Sequence, residues 1–377
     1  MKKPEIEDIY PLSPMQRGML FHALYEPGAG VYLQQVSCTL PAGLDVAAWQ
    51  EAWNEVVKRH AALRTSLVWK RREQPLQVVL RRVELHWQEL DWSRAAAAEQ
   101  TLLEEAWRSA DLQAGLPLER APLMRFTLAR LGGGGWRFLW SVHHLVVDGW
   151  SVALALGEAQ ETYAALRRGL LPPAAPAPSY GEYVHWLERL DPAAAEAFWR
   201  AELGGFAAPT PLGVERAAAG AAAAPGGAGW ESAEAVLPAA ASAALRELAR
   251  GWRLTLSTVI QGAWAYLLGA YGGGDDVVFG LTVFGRPPEL PDSDRIVGLF
   301  INTLPVRVRL RPAEPLRAWL EELQRRGARR GEFQHAPLSD LQGWSAVPRG
   351  RPLFESLLIL DSAGKVGPGG GGEDGDL

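Results

Sequence analysis

The run HHLVVDGWS, from His143 to Ser151, decides more about this chain than any other stretch. The residues ahead of it, WRFLWSV from Trp136 to Val142, are aromatic and branched, the composition of a buried strand. Behind it, Val152, Leu156, Ala159, Tyr163 and Leu166 recur at helical spacing, with Asp148 or Ser151 placed to cap the first turn. The pattern predicts a strand ending at His143 and His144, a tight connection holding Asp148 and Gly149, and then a helix. Backbone N–H groups point out of a helix N-terminus and favour developing negative charge, which suits acyl transfer. Successive strand residues face opposite ways, so one histidine is expected toward a cleft and the other packed away. The same divergence argues against a metal held by His143, His144 and Asp148, and no Cys or Glu cluster stands beside them.

Composition narrows the remaining classes. With 377 residues, 48% of them hydrophobic, the chain is long enough for two domains with substantial cores. A formal net charge of −5 leaves no basic surplus for a phosphate backbone, so nucleic-acid binding is not expected. The single cysteine, Cys38, lies in the apparent strand VYLQQVSCTL, which excludes an internal disulfide framework and reads as packing in a reducing compartment. MKKPEIEDIY has two lysines but no apolar run behind them. Neither a signal peptide nor a membrane span is expected, and a cytoplasmic location is.

Outward from the central run, helices and strands alternate. Ser13, Pro14 and Gln16 form a capping box that opens a helix carrying Met15, Met19 and Leu20. Asp45 caps the next, through Trp49, Trp53, Val56 and Val57, and LRTSLVW and PLQVVLRRV read as strands around Arg72 to Pro75. LMRFTLARL and WRFLWSV flank Gly132 to Gly135 as a hairpin whose second strand delivers the histidines. The proline-rich LLPPAAPAP, Leu170 to Pro178, reads as the domain boundary. Helices at Tyr180 to Leu190 and Ala193 to Leu203 lead into Ala207 to Gly229, a stretch too poor in bulky residues to pack. A strand, two helices and the strand DVVFGLTVF follow; then GRPPELPDSD makes an exposed excursion before a long apolar strand, IVGLFINTLPVRVRL. This divides the chain into an N-terminal lobe at 1–169, a linker at 170–178, a C-terminal lobe at 179–360 and a Gly-rich tail at 361–377.

HHxxxDG followed by a helix resembles the signature of the condensation domains of nonribosomal peptide synthetases, within the chloramphenicol-acetyltransferase-like superfamily of CoA-dependent acyltransferases. Further stretches are similar to that family's motifs and stand in its order: SPMQRGMLFH from Ser13, RHAALRTSL from Arg59, SYGEYVHWL from Ser179, VGLFINTLPVRV from Val297, QHAPLSDLQGWS from Gln334 and RGRPLFESLLIL from Arg349. The resemblance implies an α/β fold of two chloramphenicol-acetyltransferase-like lobes arranged as a V, with the active site between them and the excursion crossing from the second lobe to the first. It implies peptide-bond formation between a carrier-bound donor acyl or peptidyl thioester and the amine of a carrier-bound acceptor. No cofactor of its own is implied: substrates would arrive on the 4′-phosphopantetheine of upstream and downstream peptidyl carrier proteins, beside an adenylation domain, with the chain a monomer.

Carried over by position, the resemblance assigns His144 to orient the amine and accept its proton, and Gly149 to leave room for the thioester with its N–H toward the oxyanion. His143 would be structural, turned into the lobe. Asp148 would pair with Arg64 to fix the loop, and Trp150 would pack beneath it. Ser151 reads as a cap rather than a nucleophile and, with Asn302, is placed near the substrate or pantetheine arm; for Asn302 a purely structural amide is the competing reading. Three other functions stay open: an epimerisation domain, which the later motifs argue against, a free-standing CoA-dependent acyltransferase, and a catalytically silent recruitment domain. The chain departs from the family after about Leu360, where ILDSAGKV runs into GPGGGGEDGDL. That tail is expected to be disordered, leaving a sheet edge unpaired and activity weakened.

Overall fold

The computed structural model describes residues 5–25, 32–171, 177–212 and 232–360. The tail expected to be disordered, most of the Ala/Gly-rich stretch and the centre of the proline run lie outside the described residues. The described chain divides into two units. One runs up to Leu190 and resumes from Phe284 to Ile301; the other takes Asp191–Val283 and continues from Asn302.

The first unit contains β1 (Ile6–Pro11), α1 (Pro14–Tyr25), β2 (Leu33–Leu40), α2 (Val46–Arg59), β3 (Thr65–Val68), β4 (Leu76–Leu80), β5 (Trp87–Trp92), α3 (Ala97–Ala114), β6 (Met124–Leu131), β7 (Trp136–His143), α4 (Gly149–Arg167) and α5 (Tyr180–Leu187). One sheet has the order β2-β7-β6-β5, the other β1-β4-β3. β7 is antiparallel to both neighbours, with Leu33 opposite His143 and Met124 opposite Val142, while β5 runs parallel to β6 through α3. The expected caps are made: Asp45 accepts from Ala48 N–H at 3.0 Å, and Ser13 and Gln16 bond reciprocally at 2.9 and 3.3 Å. The core is aromatic. Trp53 of α2 packs on Phe126, Phe138 and Trp140 at centroid separations of 4.7, 5.7 and 4.8 Å. Truncating a fully buried tryptophan of this kind costs about 3–5 kcal/mol, so α2 is held to the sheet that presents the histidines.

The second unit contains α6 (Pro192–Glu202), α7 (Ala239–Trp252), α8 (Leu256–Gly272), β8 (Asp276–Val283), β9 (Asn302–Arg309), α9 (Leu316–Gly331), α10 (Leu338–Trp344) and the short β10 (Leu357–Leu358). Its sheet, ordered β10-β8-β9, is buried on both faces. Val278 and Leu304 pack with Trp199, Leu341 and Leu353, whereas Val277, Phe279, Val306 and Val308 pack with Ala265, Leu268 and Leu320. The period of two along β8 thus places Val278 in one apolar layer and Val277 and Phe279 in the other.

Several expectations need correction. The boundary falls between Leu190 and Asp191, not at Leu170 to Pro178. α5 belongs to the first unit because Tyr180 and Tyr183 are buried against Phe300, at centroid separations of 5.5 and 4.3 Å. Proline content marked a segment without periodicity, not the edge of a core. The long apolar strand is also shorter than its hydrophobic run: only Asn302–Arg309 pairs in β9, and 296–301 belongs to the first unit. The GRPPELPDSD excursion is not exposed throughout, since Pro287 and Leu290 are buried. Residues 232–238, ahead of α7, form no strand. At the start of the Ala/Gly-rich stretch Thr210 is buried, and its Oγ1 accepts from Val278 N–H at 2.7 Å.

Candidate active site

β7 ends as the alternation of its residues requires. His143, opposite Leu33, turns inward and is 5% exposed, while His144 is half-buried. The backbone is fixed at both residues: His143 N–H donates to Leu123 O at 2.9 Å and His144 N–H to Tyr32 O at 2.7 Å. Val146 N–H then returns to His143 O at 3.1 Å, closing a tight turn whose apolar residues Leu145, Val146 and Val147 are all buried. His143 Nδ1 accepts from Leu145 N–H at 3.2 Å, which places that ring's proton on Nε2. Burial, with the neighbouring His144 second, pushes the His143 pKa down to about 4, so this ring is neutral near pH 7. His144 Nδ1 is buried and has no hydrogen-bond partner among the described residues. No carboxylate orients it there.

Asp148 is the N-cap of α4: its Oδ1 accepts from Ser151 N–H at 2.8 Å. The rest of its surroundings differ from expectation. Asp148 does not pair with Arg64 but with Arg286, whose Nη2 lies 3.3 Å from Oδ1, and its Oδ2 accepts from Phe300 N–H at 3.1 Å. Arg64 instead grips Glu7 through two nitrogens at 2.6 and 3.2 Å, and donates to Val57 O at 3.0 Å and to Leu80 O. The reason is position. Arg64 ends a short turn before β3 and reaches toward β1 and β4, where it ties α2 to the smaller sheet.

Arg286 is the site residue that the sequence did not disclose. It donates to Ile296 O at 2.9 Å, to Ser293 O and to Ser151 Oγ at 3.0 Å, and its guanidinium lies 4.0 Å from the centroid of the Phe300 ring. Burial holds its pKa below the usual arginine range against the pull of Asp148, yet an arginine stays charged at neutral pH. Gly285 ahead of it adopts φ +61°, and a Cβ there would stand 1.9 Å from Phe300 O. The glycine is thus required by both conformation and close approach. A Gly-Arg pair closing a strand was the available signal, and it gives no hint of which carboxylate the arginine meets.

The chain matches the family described as Condensation domain over residues 6–365. It belongs to that family. It is 43% identical over 357 residues to a linear gramicidin synthase subunit of Brevibacillus parabrevis, the match taking in 95% of this chain and 5% of that protein. It is 32% identical over 365 residues to surfactin synthase subunit 3 of Bacillus subtilis (strain 168), covering 96% of this chain and 28% of the relative. Among solved structures it resembles the starter condensation domain of rhizomide synthetase, bound to C8-CoA, with TM-score 0.76 and 22% identity over 93% of this chain and 78% of the other. The first condensation domain of the calcium-dependent antibiotic synthetase gives TM-score 0.72 at 22% identity, over 94% and 81%. These likenesses show the mixed α/β, chloramphenicol-acetyltransferase-like fold. The chain spans only a small part of the synthetases it matches.

Within this condensation domain three further residues sit otherwise than expected. Trp150 is not packed beneath the loop: it is 50% exposed, and its Nε1 donates to Asp294 O at 2.8 Å. As the second residue of α4 it projects outward, over the Phe284–Ile301 segment. Ser151 is fully buried and its hydroxyl is occupied, donating to Gly298 O at 2.8 Å and accepting from Gly298 N–H at 3.0 Å and from Arg286. It neither caps α4 nor has a valence for substrate. Gly298 must approach this closely, since a Cβ would lie 2.0 Å from the Tyr180 ring. Asn302 is likewise committed, its Nδ2 donating to Gln334 O and Ala336 O at 2.7 and 2.9 Å. It is a structural amide of the second unit. Gly149 is exposed at the first position of α4, and the space beside its Cα is open. Among the described residues no group of three or more His, Cys, Asp or Glu side chains converges as a metal site, and no helix is long and apolar enough to cross a membrane.

The buried histidine sets a pH dependence of stability. An unfolded histidine titrates near ~6.5, whereas folding holds His143 at about 4. The unfolded chain therefore takes up the proton first. This contribution is complete above about pH 6.5 and is lost as pH falls toward 4, amounting to roughly 3 kcal/mol. His335, pushed down to about 4 by burial in the second unit, acts in the same direction. Thermal melts should show Tm falling from pH 6.5 to 5, above the range where paired carboxylates titrate, and His143→Asn should flatten that fall. A Tm independent of pH over this interval would contradict the buried neutral ring.

Proposed function

We propose that this condensation domain joins a carrier-bound donor acyl or peptidyl thioester to the amine of a carrier-bound aminoacyl acceptor. The observation that carries the reading is the division of labour at the end of β7. One histidine is locked inward and neutral, and the next is half-buried with its backbone engaged and its Nδ1 without a hydrogen-bond partner among the described residues, one turn from the open N-terminus of α4. The acceptor nitrogen attacks the donor carbonyl, the C–N bond forms, and the oxyanion develops near the first N–H groups of α4, with Gly149 leaving room. As the C–S bond breaks, the ammonium proton passes by way of the His144 ring to the departing thiolate. The products are an amide on the acceptor and a free pantetheine thiol on the donor carrier.

Magnitudes decide which part of this matters most. A free α-amino group has a pKa of about 7.7–8.0, so deprotonating it near pH 7 costs only about 1 kcal/mol. Fixing two tethered reactants in near-attack geometry is worth roughly 7–11 kcal/mol, against the ~10²–10⁴-fold typical of acid–base assistance. Positioning dominates. His144 and Gly149 are assigned to the reaction, and His143, Asp148 and Arg286 to holding the loop that presents them. The domain brings no cofactor of its own; its partners are the peptidyl carrier proteins with their 4′-phosphopantetheine arms and an adjacent adenylation domain, and it works as a cytoplasmic monomer.

A second reading, acyl transfer from CoA, is favoured by one observation: a similar starter condensation domain was solved with C8-CoA. The two are separated by offering the same donor acyl group on a carrier protein and on CoA, with a carrier-bound aminoacyl acceptor, and following the amide product by mass. Turnover at least tenfold faster from the carrier is expected. Equal or faster turnover from CoA would replace the first reading by the second.

A further inference from the structure

Leu145, the residue that follows His144, is held both from within its loop and from outside it. Leu145 donates its N–H to His143 Nδ1, and its C=O accepts from Gln16 Nε2 at 2.7 Å. Gln16 stands at the third position of α1, is fully buried, and uses every valence of its amide. Its Oε1 accepts from Ser13 N–H at 2.9 Å and from Gln77 Nε2 at 2.9 Å, while its Nε2 serves both Leu145 O and Gln77 Oε1, the latter at 2.9 Å. Gln77, buried in β4 opposite Tyr10, gives its remaining N–H to Pro11 O at 3.1 Å. Neither amide can rotate without stranding a buried donor or acceptor.

Helix capping explains only part of this. The box at Ser13 needs an acceptor at the third position, and glutamate supplies one as well as glutamine does. The two donor bonds of Gln16 have no part in the cap, and one of them ends on the carbonyl of Leu145, the residue after His144. We infer that Gln16, oriented by Gln77, is a positioning residue that fixes Leu145, the residue after His144, and so the aim of that ring; its bearing on turnover rests on the condensation reading above.

Gln16→Glu separates the two roles, because the carboxylate still accepts from Ser13 N–H but opposes oxygen to both Leu145 O and Gln77 Oε1. We expect kcat for amide formation to fall at least 10-fold with KM for either carrier changed less than twofold, and the ¹³C–¹H signal of the His144 ring to shift. Ser13→Ala is the converse: Tm falls, while kcat stays within twofold and the His144 signal stays in place. Gln16→Glu with wild-type kcat and an unmoved His144 signal would overturn the inference, as would Ser13→Ala losing kcat equally. Should Gln16→Glu not fold, Gln77→Leu removes the brace together with the bond to Pro11 O and leaves Gln16 its acceptor role toward Ser13 N–H, and an unmoved His144 signal in that variant has the same force. If the wild-type chain forms no amide, it is the condensation reading that fails, and the ring signal still decides the positioning.

Discussion

His144→Ala is expected to lower amide formation by about 10²–10⁴-fold, with Tm changed by no more than a few degrees. The two effects separate because of what the side chain does and does not touch. His144 is bonded through its backbone N–H to Tyr32 O, and alanine keeps that bond. Its Nδ1 has no partner among the described residues, so truncation strands no buried group there. His143 is the contrast: its Nδ1 bonds Leu145 N–H inside the turn, and losing it disturbs the fold. The measurement is amide product from carrier-loaded substrates, set beside a thermal melt of the same preparation. Product at a near wild-type rate in His144→Ala would remove the residue from the reaction.

Asp148→Ala is expected to act on stability first. The carboxylate is 1% exposed and serves Ser151 N–H, Phe300 N–H and the Arg286 guanidinium together. Removing one partner of a buried pair costs on the order of 3–5 kcal/mol, which lowers Tm by roughly 10 °C. A double-mutant cycle identifies the partner. Asp148→Ala combined with Arg286→Ala should be less damaging than the sum of the single effects, whereas Asp148→Ala with Arg64→Ala should be additive. Additivity for Asp148 with Arg286, or coupling with Arg64, would reverse the assignment made from the structure.

What was legible in the sequence is what short range determines. The strand through Val142, the turn, the helix capped at Asp148, the hairpin around Gly132 to Gly135 and the capping box at Ser13 all follow from spacing and residue type over a few positions. The family's motifs extended that reading to the fold. The partner of Asp148 was not legible. Arg64 and Arg286 are both arginines near motif glycines or histidines, and only the folded chain, bridging 138 positions, selects between them. The run Ile296 to Ile301 was apolar enough for a strand, but apolarity reports burial and not what the backbone bonds to. Here Gly298 and Phe300 give their N–H groups to Ser151 Oγ and Asp148 Oδ2, so side chains of the histidine loop stand where a neighbouring strand would be. Asn302 and Ser151 misled for a related reason: a polar residue inside a motif reads as available for ligand until its hydrogen bonds are traced.

The Phe284–Ile301 segment bears on how such domains can be recombined. β8 and β9 pair with each other, yet the chain between them is built into the first unit, carrying Arg286 to Asp148. A crossover at Leu190 therefore does not exchange one self-contained half for another. The incoming half brings its own arginine, its own Gly285 and its own Gly298 into the recipient's histidine loop, and must fit the recipient's Asp148, Ser151 and Tyr180 as a key fits its wards. Graftable inheritance in this architecture is discontinuous: a chimera keeps an intact loop only if residues 284–301 travel with the N-terminal half, through two further junctions, or if the two parents already agree at every one of those contacts.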